Sequence, residues 1–437
     1  MDDKWKVKKA TYHLYTFMIS KLISTFGAQI YTFAISFYIL QMTGSATSFA
    51  TNLICNILPR TILAPFAGAI TDRYSKKTIV ICAQIATTLT IVGLLIVTLT
   101  SGLSLLSIYV TTIILSLTST FSGIAFTSSI TGLINKERIQ KAMSLNQMSI
   151  SFAAVGSPAI GGLLYGTVSM PIFLLVYMTA SILAVILEST MNFRLFSQPK
   201  EEKEGEQKES ILKSIKLGIG YLKLQPVIVL MLWIGLMVNF LFGAFEVGYS
   251  YILIEKLKME SQHFGFTQGA FSVGMLLMSL YFSIRKEVKF PLLISKRGIL
   301  ALGVIMGAIS LPLISTLPNN LVFVYYLILM FCFGSIIIVI NTPLQVMLQK
   351  TIDDAYKGRV FSIIETMSMA LIPLGMVMYG FLYDIFPGQW ILLLSAASLI
   401  IVVLFLARPS MLRKAHPELS NENVGITGKD KTVNVEL

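Results

Sequence analysis

The stretch GAITDRYSKK, residues 68–77, places one acid and three cations within six residues of an otherwise strongly apolar sequence. These charged residues are Asp72, Arg73, Lys76 and Lys77. Long apolar runs precede and follow the stretch. A short, mainly basic segment between two apolar runs is typical of a loop that joins two membrane helices.

The composition of the whole chain predicts an integral membrane protein. Of 437 residues, 55% are hydrophobic and 13% are charged, and the mean hydropathy is +0.76, outside the range of an ordinary soluble domain. The net charge of +12 does not indicate nucleic-acid binding, because the cations flank apolar runs and form no stripe with interleaved aromatics. His13, His263 and His416 lie at or beyond the predicted helix ends, so we expect no metal site, no cofactor and no enzyme activity.

Twelve apolar stretches follow one another along the chain, each long enough to cross a hydrocarbon core of about 30 Å. Their centres lie near residues 28, 58, 88, 118, 153, 181, 239, 274, 303, 334, 371 and 398. The sequence therefore predicts an all-α integral membrane fold with twelve transmembrane helices.

A charged segment at residues 198–216, QPKEEKEGEQKESILKSIK, divides these helices six and six. From Ser210, apolar residues recur at helical spacing between lysines, which predicts an amphipathic helix on the membrane surface. The predicted parts are an N-terminal segment 1–13, a six-helix bundle 14–193, a linker 194–225, a second six-helix bundle 226–407 and a tail 408–437.

Lysine and arginine are distributed unevenly over the predicted loops. Lys256 and Lys258 lie in a loop on one side, Lys21 and Arg60 lie within spans, and all other cations lie in the N-terminus, the alternate loops and the tail. Loops rich in lysine and arginine remain on the cytoplasmic side of a membrane. We therefore expect a multi-pass protein of the cell membrane with both termini in the cytoplasm.

The two halves also share short motifs. KAMSLNQMS (141–149) and GRVFSIIETMS (358–368) begin helices five and eleven, and GGLLYG (161–166) and YGFLYD (379–384) end them. Two parallel repeats would be related by a pseudo-two-fold axis along the membrane normal, with a substrate site at the midplane between them. This arrangement favours a transporter over a simple channel.

The charged loop matches the signature G-x-x-x-D-R-x-G-[RK]-[RK] between helices two and three of the major facilitator superfamily. The matching residues are Gly68, Asp72, Arg73, Lys76 and Lys77. Ser75 stands in place of the second glycine. With twelve predicted spans in two halves, the sequence resembles this superfamily over essentially its whole length.

The resemblance implies that the loop is a conformational latch. In the superfamily the aspartate at the position of Asp72 contacts the start of helix eleven, which here follows Lys357, Gly358 and Arg359. An anion at a helix N-terminus contributes about 0.3–1 kcal/mol, and up to about 2 kcal/mol when partly buried, and Arg359 would add an ion pair. Topology alone is the other explanation for the three cations of the loop.

Helix five carries SPAIGG, residues 157–162, which resembles the G-P-x-x-G-G signature of drug/proton antiporters in the superfamily. Pro158, Gly161 and Gly162 agree with it, whereas Ser157 and Ala153 replace glycines. These residues permit a bend and a close helix contact, so we interpret them as a hinge. A tight helix crossing without any bearing on transport direction is the alternative.

Other segments, such as LPRTILAPFAGAITDR and INKERIQKAMSLNQ, look most like bacterial macrolide-efflux and related drug-efflux permeases of the superfamily. The resemblance implies a monomer in the lipid bilayer that exports small amphiphilic drugs and exchanges protons. An exporter or importer of a siderophore, lipid or peptide remains a second possibility, and a receptor or scaffold without transport a third.

Polar side chains within the spans are candidates for the transport site, because charged ones cost about 2.5–3.5 kcal/mol on insertion scales. Two stripes at helical spacing predict a cavity lining. The cavity candidates are Lys21, Thr25, Gln29 and Thr32 in helix one, Arg60 in helix two and Asn239 in helix seven. Polar helix packing is the alternative explanation. For Arg60 we expect a carboxylate partner across the bundle, since an unpaired buried cation is unfavourable.

Two acids are candidates for proton coupling. Glu246 has apolar neighbours along helix seven, which disfavour the charged form of a carboxylate and suit a group that binds and releases a proton. Glu365 in helix eleven is the second candidate. Glu188 lies near the end of helix six, and we expect it at the membrane interface.

The sequence contains no G-x-x-x-x-G-K-[ST] phosphate loop, so an ion gradient is the expected energy source. One charge that crosses 100 mV releases about 2.3 kcal/mol, enough for a roughly fifty-fold substrate gradient.

Overall fold

The computed structural model describes residues 2–135, 138–193, 195–196, 219–285, 288–315, 318–353 and 357–408. Within these ranges the chain forms helices and turns and no β-strand. Most of the predicted linker 194–225 and nearly all of the tail 408–437 lie outside the described residues. Residues 219–223, at the end of the linker, are helical.

The first half of the chain forms six long helices. They are α1 Asp2–Thr43, α2 Ala46–Arg73, α3 Lys76–Thr100, α4 Leu105–Leu133, α5 Ile139–Thr167 and α6 Met170–Thr190. Helix α1 includes most of the segment that the sequence separated as 1–13. Ser45 caps α2 by accepting a hydrogen bond from the Ser48 backbone N–H at 3.2 Å, and Gly44 adopts the positive φ of 60° that the turn before this cap requires.

Among the described residues from Pro226 onward, the second half forms eight helical segments. They are α7 Pro226–Tyr251, which continues as a π-helical turn Ile252–Lys256, α8 Ser261–Ile284, α9 Pro291–Ala308, α10 Leu311–Ile314, α11 Asn319–Thr351, α12 Lys357–Met369, α13 Ile372–Ile385 and α14 Gly388–Leu406. Two pairs of these segments, α9 with α10 and α12 with α13, each make up one span.

By length and composition, eleven spans in the described ranges can cross a membrane. Helix α2, with 28 residues, supplies the twelfth, and its length of about 42 Å at 1.5 Å per residue is ample. The predicted all-α fold of twelve transmembrane helices in two bundles is confirmed.

The eleventh span is broken at Ala370 and Leu371, which form a turn between α12 and α13. The sequence predicted a single apolar stretch centred at this point. Pro373 lacks an N–H and cannot bond to the carbonyl of Met369, which explains why the helix is interrupted here.

The two bundles contact each other through α5 with α8 and through α2 with α13. A Cβ on Gly265 of α8 would overlap the carbonyl oxygen of Pro158, and a Cβ on Gly162 of α5 would overlap that of Ser261. The Ser261 hydroxyl donates to the Gly162 carbonyl at 3.0 Å. Glycine at these positions therefore allows two backbones from different bundles to touch.

A carboxylate from the second bundle caps a helix of the first. Asp384, near the end of α13, accepts hydrogen bonds from the Ala46 N–H at 2.6 Å, the Thr47 N–H at 3.1 Å and the Ser45 hydroxyl at 2.8 Å. These donors lie at the N-terminus of α2, where free N–H groups and the helix dipole favour an anion. We call the end of the molecule that contains this contact the closed end.

Aromatic rings also seal the bundles together near the closed end. Phe264 of α8 lies between two rings of α1 and one of α7, with centroid distances of 5.4 Å to Phe33, 6.0 Å to Phe37 and 5.6 Å to Tyr249. Because α1 belongs to the first bundle and α7 and α8 to the second, this cluster blocks the space between the bundles.

At the opposite end, three side-chain hydrogen bonds join helices of the same bundle. Lys76 and Lys77 at the start of α3 donate to the carbonyls of Ser128 and Ser189, at 2.5 and 2.9 Å. Lys296 of α9 donates to the carbonyl of Ala407 at 2.7 Å. We call this the open end.

We expect Gly265→Val to separate the bundles at the closed end while both bundles stay folded. Overpacking costs about 1–3 kcal/mol, and even the lower part of this range shifts a two-state equilibrium about fivefold. Ala50→Cys provides a reporter, because Ala50 is 1% exposed and faces Gly380 in the α2–α13 contact. The rate of maleimide labelling of this reporter, in a background without Cys55, Cys82 and Cys332, measures the opening.

Gly93→Val in α3 is the matched control, because a Cβ at Gly93 meets no atom within 4 Å. Faster labelling of the reporter thiol is expected only in the Gly265 variant. Equal labelling in the two variants would show that the α5–α8 contact does not hold the bundles together.

Candidate functional site

A polar cavity of about 370 Å³ lies inside the first bundle. Helices α1, α2, α3, α4 and α6 supply all of its lining residues. It contains two cations, several carboxamides and many hydroxyl groups, among aliphatic side chains. A polar space of this size within transmembrane helices is the strongest candidate for a ligand site in the described part of the chain.

Five of the six predicted cavity residues line this one space. They are Lys21, Thr25, Gln29 and Thr32 of α1 and Arg60 of α2. The sixth, Asn239 of α7, does not: its amide donates to the Ser368 carbonyl of α12 at 2.9 Å, a bond within the second bundle. The cavity thus belongs to the first bundle alone, whereas the sequence predicted a lining shared by both halves.

Hydrogen bonds between helices hold the cavity wall. Thr112 donates to the Asn52 side chain at 2.8 Å and joins α4 to α2. The Gln84 amide donates to the Ser181 hydroxyl at 3.1 Å and joins α3 to α6. Sequence reasoning missed these residues, although a buried Asn or Gln in an apolar helix already indicates a polar partner on a neighbour.

Glu188 lies inside the bundle, with 2% of its surface exposed. The Ser20 hydroxyl donates to its Oε1 at 2.7 Å, and the Lys21 ammonium group attracts it electrostatically. Its Oε2 has no hydrogen-bond partner in the described part of the chain. The expectation of an interfacial residue was wrong, because α1 extends to Asp2, well past the end of α6, and covers this position.

Arg60 projects into the cavity and is exposed there. Among the described residues it has neither a hydrogen-bond partner nor a carboxylate within ion-pair distance. The predicted carboxylate partner is therefore absent from this part of the structure. A position beside an open polar cavity removes the need for one, since the guanidinium remains accessible to water.

Glu246 is half-buried on α7, a helix that carries several aromatic residues. On the same helix, the Phe245 ring lies 5.0 Å from Phe242 and 5.4 Å from Tyr249, measured between centroids. Glu246 forms no hydrogen bond or ion pair with another described residue. The second proton candidate, Glu365, lies in α12, and its side chain is outside the described residues.

The charged loop is described in part. Helix α2 ends at Arg73 and α3 begins at Lys76, and the two lysines bind carbonyls of α4 and α6, as given above. A cation at the C-terminal end of a helix is favoured by the helix dipole. The side chains of Asp72, Arg73 and Arg359 lie outside the described residues, so the latch stays a prediction. A Cβ on Gly68 would meet no atom within 4 Å.

The proposed hinge of α5 faces two directions. Pro158 and Gly162 contact α8 of the second bundle, whereas a Cβ on Gly161 would lie 3.0 Å from the Phe33 ring of α1. Pro158 lies inside the helix. The three residues therefore connect α1, α5 and α8.

Two membrane-spanning helical bundles that meet at the closed end, one of them with a polar cavity inside it, have the architecture of a membrane transporter. The family model of the Major Facilitator Superfamily matches residues 17–375, and the chain belongs to that superfamily. As a member of a transporter family it is not an enzyme.

Relatives of known name are similar over most of the chain. Macrolide efflux protein A of Streptococcus pyogenes is 22% identical over 90% of this chain and 93% of its own length. The uncharacterized MFS-type transporter YfiS of Bacillus subtilis is 25% identical over 86% and 87%. The multidrug efflux pump Tap of Mycolicibacterium fortuitum is 22% identical over 84% and 88%.

Solved structures agree with the fold. The nucleoside transporter NupG matches with a TM-score of 0.66 at 11% identity and covers 92% of this chain and 99% of its own. A bacterial homologue of the iron transporter ferroportin, in an inward-facing state, matches with a TM-score of 0.65 at 14% identity and covers 90% and 98%. At these identities the likeness concerns the fold alone.

A double-mutant cycle on Ser20→Ala and Glu188→Gln measures the hydrogen bond between these side chains. If Glu188 is ionised, we expect a coupling free energy of about 1.5–3 kcal/mol, since hydrogen bonds to charged groups exceed the roughly 0.5–1.5 kcal/mol of neutral ones. The measurement is the free energy of unfolding of the purified protein in mixed detergent micelles.

Ser283→Ala with Glu188→Gln provides the control cycle, because the exposed Ser283 hydroxyl donates only to the carbonyl of Leu280. A coupling energy near zero in both cycles would contradict the contact between Ser20 and Glu188.

Proposed function

We propose that the chain is a secondary active transporter that works by alternating access and exports amphiphilic drugs of the macrolide-like or multidrug type, driven by protons. The observation that carries this proposal is the junction of the bundles at the closed end, beside a polar cavity in which Arg60 has no partner among the described residues. Such a structure presents its cavity to one side of the membrane at a time.

The distribution of charge supports a cytoplasmic open end. The basic loop with Lys76 and Lys77 lies there, and the N-terminus and the loop before Lys296 lie at the same end. Under the positive-inside rule both termini face the cytoplasm of a bacterial cell. The cavity then receives substrate from the cytoplasm or the inner leaflet, as export requires.

Transport requires the contacts of the closed end to break and equivalent contacts to form at the open end. Asp384 leaves the N-terminus of α2, and the rings around Phe264 separate. At the open end, Asp72 reaches the N-terminus of α12 near Arg359. The two aspartates would then cap helices at opposite ends of the same pair of spans, so that one contact replaces the other.

A proton bound by Glu246 resets the carrier in this scheme, with Glu365 as the second candidate. Glu246 has no competing cation among the described residues, and apolar residues flank it along α7. One proton crossing 100 mV provides about 2.3 kcal/mol, which suffices for the roughly fifty-fold gradient of an exporter.

The named relatives support a drug as substrate. Two of those described above are named as efflux proteins, one for macrolides and one for several drugs. The protein acts as a monomer in this proposal, because one chain contains both bundles and the cavity.

Glu246→Gln is expected to abolish export driven by a pH gradient and to preserve exchange of substrate across the membrane, because the amide cannot carry the proton. The measurement compares gradient-driven uptake into everted vesicles with counterflow in proteoliposomes, using a radiolabelled macrolide and a panel of other drugs.

Glu255→Gln is the matched control. Glu255 lies nine residues further along the chain, in the π-helical turn, and its carboxylate binds Lys258 at 2.8 Å. Its variant should retain gradient-driven export. Normal export by Glu246→Gln would disprove the assignment of Glu246.

Asp384→Asn and Asp72→Asn should have opposite effects on the conformational equilibrium. Removal of an anion from a helix N-terminus costs up to about 2 kcal/mol, which corresponds to a roughly thirty-fold shift. Labelling of the Ala50→Cys reporter should accelerate in Asp384→Asn and slow in Asp72→Asn, and substrate turnover should fall in both. Changes of the same sign in the two variants would contradict the exchange of contacts.

A further inference from the structure

We propose that the cavity of the first bundle binds an anionic oxyacid group of the substrate, such as a carboxylate or a sulfonate, between Arg60 and Lys21. This inference rests on the proposed export function and narrows its substrates, within the multidrug type, to acidic amphiphiles. A substrate with an acidic group is not what the names of the relatives alone would suggest.

The charged residues that line the cavity favour an anionic ligand. Of its lining residues, Lys21 and Arg60 are charged, and all the others are neutral. Two cations that face one space without an acid among them attract an anion and repel an amine. A basic drug bound in this space would face both of them.

Glu188 offsets only one of these two positive charges. It lies near Lys21 but does not line the cavity, and its Oε1 accepts the hydrogen bond from Ser20. Its attraction therefore balances Lys21, and Arg60 remains uncompensated in the described part of the chain. One bound anion would complete the charge balance.

Hydrogen-bond donors without partners surround the same space. Within the described ranges, the side-chain amides of Gln29 and Asn56 form no hydrogen bond, and the buried hydroxyls of Ser24 and Tyr31 have none either. Tyr31 is 4% exposed. Unsatisfied buried polar groups are costly, and an oxyanion accepts several hydrogen bonds at once.

The remaining wall suits the apolar part of an amphiphile. Ile35, Leu53, Ile57 and Leu115 line the cavity beside the polar groups. A volume of about 370 Å³ lies within the range of small-molecule sites. The acid group and a short apolar segment fit together in this space.

The test uses three probes of matched size that differ in charge: 4-phenylbutyrate, 4-phenylbutanamide and 4-phenylbutylamine. Equilibrium binding to the purified full-length protein in nanodiscs is measured with radiolabelled probes at neutral pH. We expect the acid to bind most tightly. Arg60→Gln should weaken binding of the acid at least about tenfold, the effect of a lost charge-assisted hydrogen bond, whereas Arg60→Lys should keep most of it.

Arg285→Gln is the control for loss of a surface cation. Arg285 is exposed at the end of α8, with its guanidinium 5.5 Å from the Tyr281 ring centroid, and its loss should not change binding. If Arg60→Gln does not reach the membrane, Gln29→Leu removes a donor without changing the charge and should weaken the acid severalfold more than the amide.

Equal or tighter binding of the amine, or unchanged binding of the acid by Arg60→Gln, would overturn the anion site. Transport assays separate this failure from that of the proposed function. Proton-driven export of a macrolide without binding of the acid would refute the anion site and leave efflux intact. Binding of the acid through Arg60 without transport of any compound would leave the site intact and refute efflux.

Discussion

Hydrocarbon offers no hydrogen bonds, so every polar group inside a transmembrane helix must find a partner in the protein or face a space that holds water. This constraint organises the first bundle. Its polar side chains turn inward and either pair across helices, as Asn52 does with Thr112, or line one shared cavity. The outer surface is left to apolar residues, such as Leu89, Leu99 and Leu106, which are largely exposed.

The same constraint explains how two bundles can be both joined and separable. Their contacts combine backbone packing at Gly162 and Gly265 with the carboxylate of Asp384 at the N-terminus of α2. Each bundle keeps its own internal hydrogen bonds, and in the proposed transport cycle the seam between them opens without unfolding either one.

Much of the fold followed from the sequence, because span length and apolar composition are direct consequences of the bilayer. The α1 stripe from Lys21 to Thr32 was also predictable, since helical spacing places its members on one face. The break at Ala370 was missed, although Pro373 provided a signal for it. No sequence motif predicted the role of Asp384, because its partners, two backbone N–H groups and the Ser45 hydroxyl, lie at the start of a helix about 338 residues away along the chain.

Errors in the predicted site came from tertiary context. Glu188 is close to a helix end in the sequence, yet the length of α1 covers it. Arg60 was expected to pair with a carboxylate, yet it lies beside a polar cavity in which its guanidinium remains accessible to water. Asn239 shares a stripe with Glu246 but binds the α12 backbone. In each case the sequence placed the residue correctly along its own helix. The neighbouring helices, which the sequence does not reveal, determined the environment of the side chain.

The central claim is that two rigid bundles exchange contacts between the two ends of the molecule around the cavity of the first bundle. The most direct measurement is the distance distribution between spin labels at Leu106 and Trp390, two exposed positions of different bundles at the closed end. In nanodiscs, addition of a transported compound together with a change of pH should alter the proportion of a second, longer distance. A single, unchanged distribution in a preparation that transports the compound would contradict the account.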